Sequence, residues 1–435
     1  MVWSKYNLLF EREGIYLLYN SLSNALVEIS KNLFDDLIEL SPGEECGDLD
    51  DDIKILLTRT KSLVSSDTVE INKLQYRTYQ GRFNQKNLII TINPTLSCNF
   101  ACPYCFEGNH PNTFMTEQIE DDVISYIKKF TEATSLSVSW FGGEPLLNFS
   151  SLVSLSKKLI ALGLDYTAGI ITNGYLLTPK IADQLIDLKI QTIQITLDGV
   201  REEHDKRRCL KNGSPTYDTI VKNIIYIAEY LPSLKINVRV NIDKDNLDSF
   251  LHIYTELANR YKSISVHPAF VKDVNGDGAC QSAMSLNEIF NFLIDLYNKT
   301  GLDFRQFYPN GGRKECAVRK NNAFVIGPEG ELYKCWNDVG KRERIYGYVS
   351  EGGLITNDAV LFDYLMEADQ INDSKCLNCL LLPNCSGGCP HTRLLDRHRN
   401  VKKSCPIDIN KITDYLWAHY CTKVNKKIHL PNQSI

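Results

Sequence analysis

Between residues 88 and 270, six short apolar stretches alternate with amphipathic stretches, and this rhythm restricts the folds open to the chain. The apolar stretches read "NLIITIN", "SLSVSWFGG", "AGIITNG", "QTIQITLDG", "KINVRVNI" and "SISVHPAF". Repeated strand and helix units predict a parallel sheet with helical crossovers, in which the loops after the strand C-termini carry the chemistry. Six units are too few to close an eight-fold barrel. We therefore expect an α/β fold with a partial (β/α)6 TIM-like barrel, open on one side.

The composition excludes several classes of function. The chain has 435 residues, of which 43% are hydrophobic and 23% charged, and its formal net charge is -5. This mild charge creates no long-range field that would attract a nucleic-acid backbone. The N-terminus lacks a basic segment followed by an apolar run, and no window has the apolar length that spans a bilayer. We expect a cytoplasmic protein that binds neither nucleic acid nor a membrane.

Residues 1–88 show a different pattern and predict a small unit of their own. Strands are expected over "YNLLF" and "IYLLYNSLSNALVEI", the second stretch turning at Ser23 and Asn24. Apolar residues at helical spacing follow in "KNLFDDLIEL", and a second helix is expected from about Leu49 to Val64. Strands followed by helices give an α+β unit.

Fourteen cysteines are present, and without an export signal a reducing compartment favours metal ligation over disulfides. Cys98, Cys102 and Cys105 lie together in "CNFACPYC", just after the first predicted barrel strand. Structural zinc takes four ligands, whereas three thiolates on a four-iron cluster leave one iron open to a small molecule. A C-x2-C pair alone is more often a zinc site, so zinc stays an alternative at this point.

The spacing C-x3-C-x2-C after a first barrel strand resembles the motif of radical S-adenosylmethionine (SAM) enzymes. This resemblance implies that the three cysteines hold the radical-generating [4Fe-4S] cluster. In "WFGGEP", Gly142, Gly143 and Glu144 resemble the segment that receives the amino group of the SAM methionine. Glycine would let the backbone approach the ligand, and the carboxylate would balance the ammonium group. Tyr104 resembles the aromatic residue whose backbone contacts the adenine.

Later strand ends resemble the same family more weakly. The resemblance implies polar contacts to the ribose or carboxylate of SAM from residues in "ITNG", "TLDG", "HDKRR" and "RVNID". The residues concerned are Thr172, Asn173, Thr196, Asp198, Arg208 and Asn241. For Thr196, Asp198 and Asn241, simple capping of a strand end explains the residue equally well.

The cysteines after residue 300 resemble the SPASM domain of radical enzymes, which typically holds two auxiliary [4Fe-4S] clusters. By this resemblance Cys376, Cys379, Cys385 and Cys405 are expected to ligate the outer cluster. Cys316, Cys335 and Cys389 are expected to ligate the inner one. No cysteine lies between 316 and 335, so the inner cluster has either an open iron or a recruited ligand, for which Cys280 is one candidate.

Together these resemblances imply four segments: residues 1–88 as a peptide-recognition unit, 89–308 as the barrel, 309–412 as the SPASM domain and 413–435 as a C-terminal tail. They imply SAM and three [4Fe-4S] clusters as cofactors, and a flavodoxin or ferredoxin as electron donor. The substrate would be a ribosomally made precursor peptide bound through its leader, in which a deoxyadenosyl radical starts a thioether or carbon-carbon cross-link. Two alternatives are a formylglycine-forming sulfatase maturase and a zinc-binding scaffold without catalytic activity.

Overall fold

The structure is a computed structural model that describes residues 1–47, 49–105, 108, 111–271, 282–304, 315–350, 352–399 and 405–429, without the side chains of 397–399. It divides into two compact units, each made of segments that are distant in sequence. The barrel unit consists of Phe83–Met284 and Ala317–Leu365, and the terminal unit of Met1–Arg82, Ser285–Cys316 and Met366–Ile435. This division does not test the predicted domain boundaries at residues 88, 308 and 412, which stay predictions.

The elements are numbered along the chain. The strands are β1 (Val2–Trp3), β2 (Asn7–Arg12), β3 (Ile15–Asn20), β4 (Ala25–Ile29), β5 (Leu63–Val64), β6 (Asn87–Ile92), β7 (Ser135–Trp140), β8 (Asp165–Thr172), β9 (Ile190–Leu197), β10 (Lys235–Ile242), β11 (Ile264–Phe270), β12 (Ala323–Ile326), β13 (Glu331–Tyr333), β14 (Gly347–Tyr348) and β15 (Leu354–Ile355). The helices are α1 (Lys31–Leu37), α2 (Asp51–Arg59), α3 (Asp67–Arg82), α4 (Glu117–Ile127), α5 (Phe149–Ile160), α6 (Pro179–Leu185), α7 (Arg201–Arg207), α8 (Tyr217–Tyr230), α9 (Ser249–Ile253), α10 (Leu286–Thr300), α11 (Asp358–Phe362), α12 (Ser374–Leu377), α13 (Pro390–Arg399) and α14 (Ile412–Lys423).

The barrel unit confirms the predicted α/β fold. Strands β6 to β11 lie side by side in the order of the chain, and every pair among them is parallel. Along each strand buried apolar residues alternate with residues that are half-buried or exposed, and the alternation is clearest in β8 and β10. Helix α8 packs on the apolar side, where a side chain at Gly174 would meet both Ile195 and Ile220. The six predicted strands are therefore present, each with one face buried beneath helices.

Four further strands, which were not predicted from the sequence, extend this sheet beyond β6. Strand β12 pairs in parallel with β6, and β13, β14 and β15 continue in antiparallel fashion. The signal in the sequence was weak because these strands contain only two to four residues each. Cys335 follows β13 and so belongs to the barrel unit.

The terminal unit begins with the predicted antiparallel strands. Strands β2, β3 and β4 form a three-stranded sheet, and the turn between β3 and β4 includes Ser23 and Asn24 as expected. Buried apolar side chains from strands and helices form one core; they are Trp3, Leu18, Ile29, Leu33, Leu37, Leu57 and Leu63. The α+β character of this unit matches the prediction.

Two helices of the terminal unit, α2 and α3, differ from the prediction. The second helix was expected to reach Val64, but α2 ends at Arg59 and residues Leu63–Val64 pair with β1 instead. Helix α3 was not predicted at all. Its buried residues are Glu70, Thr78 and Arg82, so no apolar stripe marks it in the sequence.

The last residue of α3 forms the most deeply buried ion pair of the terminal unit's described part. The Arg82 guanidinium donates to both carboxylate oxygens of Asp369, at 2.7 and 2.8 Å, and both side chains are fully buried. It also donates to Glu315 at 2.6 and 3.0 Å. These carboxylates hold the pKa of Arg82 above its ordinary value, although burial acts in the opposite direction. Three distant segments of the chain thus share one cation.

No helix among the described residues is both long and apolar enough to cross a bilayer.

We expect Arg82→Met to destabilise the terminal unit strongly, because the change leaves two carboxylates without their cation. Breaking a buried pair in this way typically costs about 3–5 kcal/mol. The thermal unfolding midpoint should fall by several degrees. Lys73→Met is the matched control, since Lys73 is half exposed and pairs only with Glu70 at 2.8 Å. An Arg82→Met midpoint equal to that of the control would contradict this account.

Candidate active site

The loop after β6 carries Cys98, Cys102 and Cys105 and is held by backbone hydrogen bonds. Residues 99–101 run beside residues 209–211: the Ala101 N–H donates to the Cys209 carbonyl and the Lys211 N–H to the Asn99 carbonyl, both at 3.0 Å. Phe100, buried between the cysteines, bridges to Leu210. The cysteine loop is therefore fixed by a segment that follows α7.

The three thiols of this loop lie near one another. Burial, together with the charges of Glu144, Cys102 and Cys105, raises the pKa of Cys98 to about 12. The Phe100 N–H donates to Cys98 Sγ at 3.5 Å. Such thiols stay protonated until a metal displaces the proton. Among the described residues no three Cys, His, Asp or Glu side chains are close enough to hold a single ion. A four-iron cluster instead takes each ligand at a different iron atom.

Gly142 and Gly143 let the loop after β7 approach the cysteine loop closely. Gly142 has φ of +119°, and a Cβ at Gly143 would lie 2.3 Å from the Ser97 carbonyl oxygen and 2.4 Å from that of Leu96. The Gly143 N–H donates to the Thr95 carbonyl at 3.2 Å, and the Glu144 N–H to Ser97 at 2.8 Å. From the sequence we expected Gly142 and Gly143 to let the backbone approach SAM. In the structure they let the loop after β7 approach the cysteine loop.

The Glu144 carboxylate is fully buried and connects the ends of β7 and β8. It accepts hydrogen bonds from the Thr172 hydroxyl and the Asn173 N–H, both at 2.7 Å, and from the Leu146 N–H at 3.1 Å. Burial raises the pKa of Glu144, and these three donors oppose the rise. The Asn173 side chain in turn donates to Asn99 Oδ1 at 2.8 Å. Glu144, Thr172 and Asn173 are thus brought together beside the cysteine loop.

A second polar group gathers around Asp198, at the end of β9. Its carboxylate accepts hydrogen bonds from the Tyr104 hydroxyl and, at 3.2 Å, from the Asn241 amide. The Arg208 guanidinium lies 4.0 Å from it and donates to the Tyr104 hydroxyl at 3.1 Å. Burial raises the pKa of Asp198, while Arg208 and Tyr104 counteract it. The sequence analysis expected the Tyr104 backbone to serve the adenine; here its hydroxyl is bound within this group.

Arg208 retains one unused donor. Its Nε is buried and has no hydrogen-bond partner within the described part of the chain, while the guanidinium lies 5.7 Å from the centre of the Phe100 ring. A buried N–H without a partner is costly unless a ligand accepts its hydrogen bond.

Thr196, also predicted from the sequence, lies on β9 directly opposite Arg239 of β10.

His204 was missed by the sequence analysis and supports this group from behind. The Asp198 N–H donates to its Nδ1 at 3.3 Å, so the ring proton must be on Nε2, which contacts the Thr216 hydroxyl at 3.1 Å. That hydroxyl donates to the Arg208 carbonyl at 2.6 Å. Burial, aided by the charge of Arg208, lowers the pKa of His204 to about 3. The signal available in the sequence was its position in "HDKRR", four residues before Arg208.

In the terminal unit, four predicted cluster ligands also come together. Burial raises the pKa of Cys379, and the charges of Cys385, Cys376 and Cys405 raise it further. Backbone N–H groups point at two of these sulfurs: Leu381 donates to Cys379 Sγ at 3.4 Å and Gly387 donates to Cys385 Sγ at 3.3 Å. Donors aimed at sulfur suit thiolates that ligate iron.

A buried arginine completes this set. Arg393 donates to Cys376 Sγ at 3.6 Å and to the Asp373 carboxylate at 2.7 Å. Asp373 also accepts hydrogen bonds from the Lys375 and Cys376 N–H groups, at 2.9 and 3.2 Å, and so caps α12. The cation and the carboxylate therefore hold the first cysteine of the set from two sides.

The three predicted ligands of the inner cluster divide between the units. Cys335 belongs to the barrel unit and is buried, whereas Cys316 and Cys389 belong to the terminal unit and are exposed. Their assignment stays a prediction. Cys280 lies outside the described residues.

Comparison with known proteins decides the family of the barrel. Residues 92–257, which include the cysteine loop, Glu144, Asp198 and Asn241, match the model of the Radical SAM superfamily. This stretch of the chain is a radical SAM domain. The zinc-binding scaffold considered from the sequence is thereby set aside.

Two relatives and one solved structure extend the match. The radical SAM cyclopropyl synthase TigE of Paramaledivibacter caminithermalis is 27% identical, over 67% of this chain and 65% of its own length. A cysteine-type anaerobic sulfatase-maturating enzyme of Clostridium novyi is 25% identical, over 70% and 88%. The crystal structure of Streptococcus suis SuiB bound to precursor peptide SuiA has a TM-score of 0.55 at 16% identity, and the match covers 92% of this chain and 97% of SuiB. At that identity the likeness concerns the fold.

A radical SAM domain implies SAM and a [4Fe-4S] cluster, and residues of the barrel unit fit both. Three neighbouring thiols on one loop suit a cluster that keeps one iron open. The unpartnered Nε of Arg208 suits a carboxylate such as that of methionine. Which residue contacts which part of SAM stays as predicted from the sequence.

We expect Gly143→Ala to impair loading of the barrel-unit cluster. The new methyl group would overlap two carbonyl oxygens of the cysteine loop and push that loop away. Anaerobically purified variant should contain less iron and sulfide per chain than the wild type. Gly81→Ala is the matched control, because its added methyl group meets nothing within 4 Å. Equal iron content in both variants would refute the steric argument.

We expect acid to destabilise the wild type more than a His204→Gln variant. The unfolded chain binds a proton at His204 near its ordinary pKa of about 6.5, but the folded chain does so only near 3, so stability falls as the pH drops through this window. The loss amounts to about 1.4 kcal/mol per pH unit for one proton. The thermal unfolding midpoints of the wild type and of His204→Gln, measured from pH 7 to pH 4, should therefore converge as the pH falls. Parallel pH profiles would show that His204 is not buried in its neutral form.

Proposed function

We propose that this enzyme is a maturase that cross-links a ribosomally made precursor peptide. The observation that carries the proposal is a radical SAM domain joined to two further features: an open three-stranded sheet near the N-terminus and a converging cysteine set near the C-terminus. The structure of SuiB contains a bound precursor peptide, and its likeness to this protein covers 92% of the present chain and not only the barrel. The proposed product is a thioether or carbon-carbon bond.

The sheet β2-β3-β4 supports recognition of a leader segment. Within the described residues no further strand pairs with β2 or β4, so both outer strands retain backbone groups that another strand can use. A peptide that adds to a sheet edge gains affinity from backbone hydrogen bonds and selectivity from side-chain pockets. We assign this task to the unit that starts at residue 1.

The barrel residues would bind and orient the reactants. SAM and the cluster, when bound, supply reductive cleavage of the sulfonium to a deoxyadenosyl radical that removes a hydrogen atom from the peptide. Cys98, Cys102 and Cys105 would hold the cluster, and Arg208 would pair with the methionine carboxylate. Asp198 would keep Tyr104 and Arg208 in place through the hydrogen bonds and charge pairing described above. Preorganised groups of this kind need no rearrangement during the reaction.

The cysteine set of the terminal unit supports an electron-transfer role. We propose that Cys376, Cys379, Cys385 and Cys405 hold an auxiliary [4Fe-4S] cluster, with Arg393 donating to one of its thiolates. Cys316, Cys335 and Cys389 are proposed for a second, inner cluster. A flavodoxin or ferredoxin would supply the electrons.

One specific observation favours a second function. The sulfatase-maturating relative aligns over 88% of its own length, so oxidation of a cysteine or serine to formylglycine on a protein substrate is the runner-up. The N-terminal sheet and the absence of a cysteine between 316 and 335 weigh against it, because those enzymes usually lack the former and supply a full ligand set to the inner cluster.

The deciding experiment uses the reconstituted enzyme under anaerobic reducing conditions with SAM and each candidate precursor peptide, identified by sequencing short reading frames beside its gene. We expect 5′-deoxyadenosine and a peptide lighter by two hydrogen atoms. The control is a variant with Cys98, Cys102 and Cys105 all changed to Ala, which should form neither product. Formylglycine in a sulfatase-derived peptide, with the encoded peptide unchanged, would support the runner-up and overturn the proposal.

A further inference from the structure

The inner face of the barrel sheet is polar. Residues on the opposite side of strands β9 to β11 from the helices are half-buried, and their register across the sheet follows from the parallel pairing. They are Gln194, Thr196, Asn237, Arg239 and His267, with the exposed Ser265 near the start of β11 on the same side. Among these side chains Arg239 carries the only fixed charge. Whatever binds against this face meets a cation.

The sheet register places Arg239 between two neutral polar residues. It pairs with Thr196 of β9 on one side and with His267 of β11 on the other. Its Nε donates to Asn241 Oδ1 at 3.0 Å, and the Asn241 amide donates to Asp198 at 3.2 Å. The guanidinium is therefore held in position by the group around Asp198.

The two terminal nitrogens of Arg239 have no hydrogen-bond or ion-pair partner within the described residues. Asp198 already accepts hydrogen bonds from Tyr104 and Asn241 and faces Arg208. Burial lowers the pKa of Arg239, and burial together with the charge of Arg239 lowers the pKa of His267, so the histidine is neutral near pH 7. The charge of Asp198 acts on Arg239 and on Arg208, so the two arginines share one carboxylate. A half-buried cation whose counter-charge is shared, and whose terminal nitrogens have no partner, favours an anionic ligand.

We propose that Arg239, with His267 beside it, binds an acidic side chain of the peptide substrate on the inner face of the barrel. The guanidinium fork matches a carboxylate in two parallel hydrogen bonds, and the neutral imidazole supplies one more. This inference rests on the proposed function and adds to it the chemical class of residue that the core segment must contain. We assigned Arg208 to the carboxylate of SAM. The SAM carboxylate and the peptide carboxylate would therefore each pair with a different arginine.

The first test is a double-mutant cycle with the enzyme and the encoded precursor peptide. Each Asp or Glu of the peptide is changed singly to its amide, and the enzymes are wild type, Arg239→Met, Arg239→Lys and Lys235→Met. Lys235 is the matched control because it is an exposed cation on the same strand. We expect one amide peptide to raise the KM of the wild type about tenfold or more. Arg239→Met should treat acid and amide peptides alike, and Arg239→Lys should recover only part of the difference.

Binding of SAM separates the two possible carboxylates. Arg239→Met removes a hydrogen bond to Asn241, so its SAM Kd should change, but by much less than its peptide KM. A weakened SAM Kd with an unchanged peptide KM would assign Arg239 to the cofactor and overturn the inference. A peptide KM that depends on no acidic residue would overturn it as well.

A second test does not depend on the precursor and so separates failure of this inference from failure of the proposed function. The holoenzyme is treated anaerobically with phenylglyoxal, an arginine reagent, and modified residues are located by mass spectrometry. Glutarate should protect Arg239 whereas its neutral analogue glutaramide should not, and exposed Arg260 should react equally in both. Absence of selective protection would exclude a carboxylate site at Arg239, whether or not any peptide is modified.

Discussion

The close contact between the loop after β7 and the cysteine loop is the constraint on which the site depends. Two backbone hydrogen bonds, from Gly143 to Thr95 and from Glu144 to Ser97, join the loops at a distance that only glycine permits. Glu144 then carries this alignment to the end of β8 through Thr172 and Asn173. Three neighbouring strand ends are thus fixed relative to the thiols before any cofactor binds, which lowers the cost of ordering the site.

The sequence predicted the barrel because its physical signal is local. Each strand from β6 to β11 alternates or runs apolar over six to eight residues, and each is followed by a loop or helix with a clear boundary. The thiol triplet and "GGEP" were equally visible, since both depend on residues close together in the chain. Their positions next to one another required only the rule that parallel strand ends meet at one edge.

The rest could not be predicted because its signal is not local. Helix α3 buries the polar residues Glu70, Thr78 and Arg82, and Arg82 becomes suitable for burial only when Glu315 and Asp369 arrive from more than two hundred residues away. Strand β12 belongs to the barrel sheet because it pairs with β6. A run of four residues is too short to indicate this pairing from the sequence. His204 lies in the charged segment "HDKRR", which gives no local signal of burial, and only the fold shows that it is enclosed between the Asp198 backbone and Thr216.

The pattern of charge pairing in the barrel unit separates residues that serve the fold from those left for a ligand. Arg207 is paired in two hydrogen bonds with Asp243, at 2.8 and 3.2 Å, and needs no further partner. Arg208 faces Asp198 and Tyr104 but keeps one buried N–H unused. Arg239 has only an amide oxygen at its Nε. Because burying a cation without a full set of partners is costly, this graded series supports our two proposals: a carboxylate of SAM at Arg208 and a carboxylate of the peptide at Arg239.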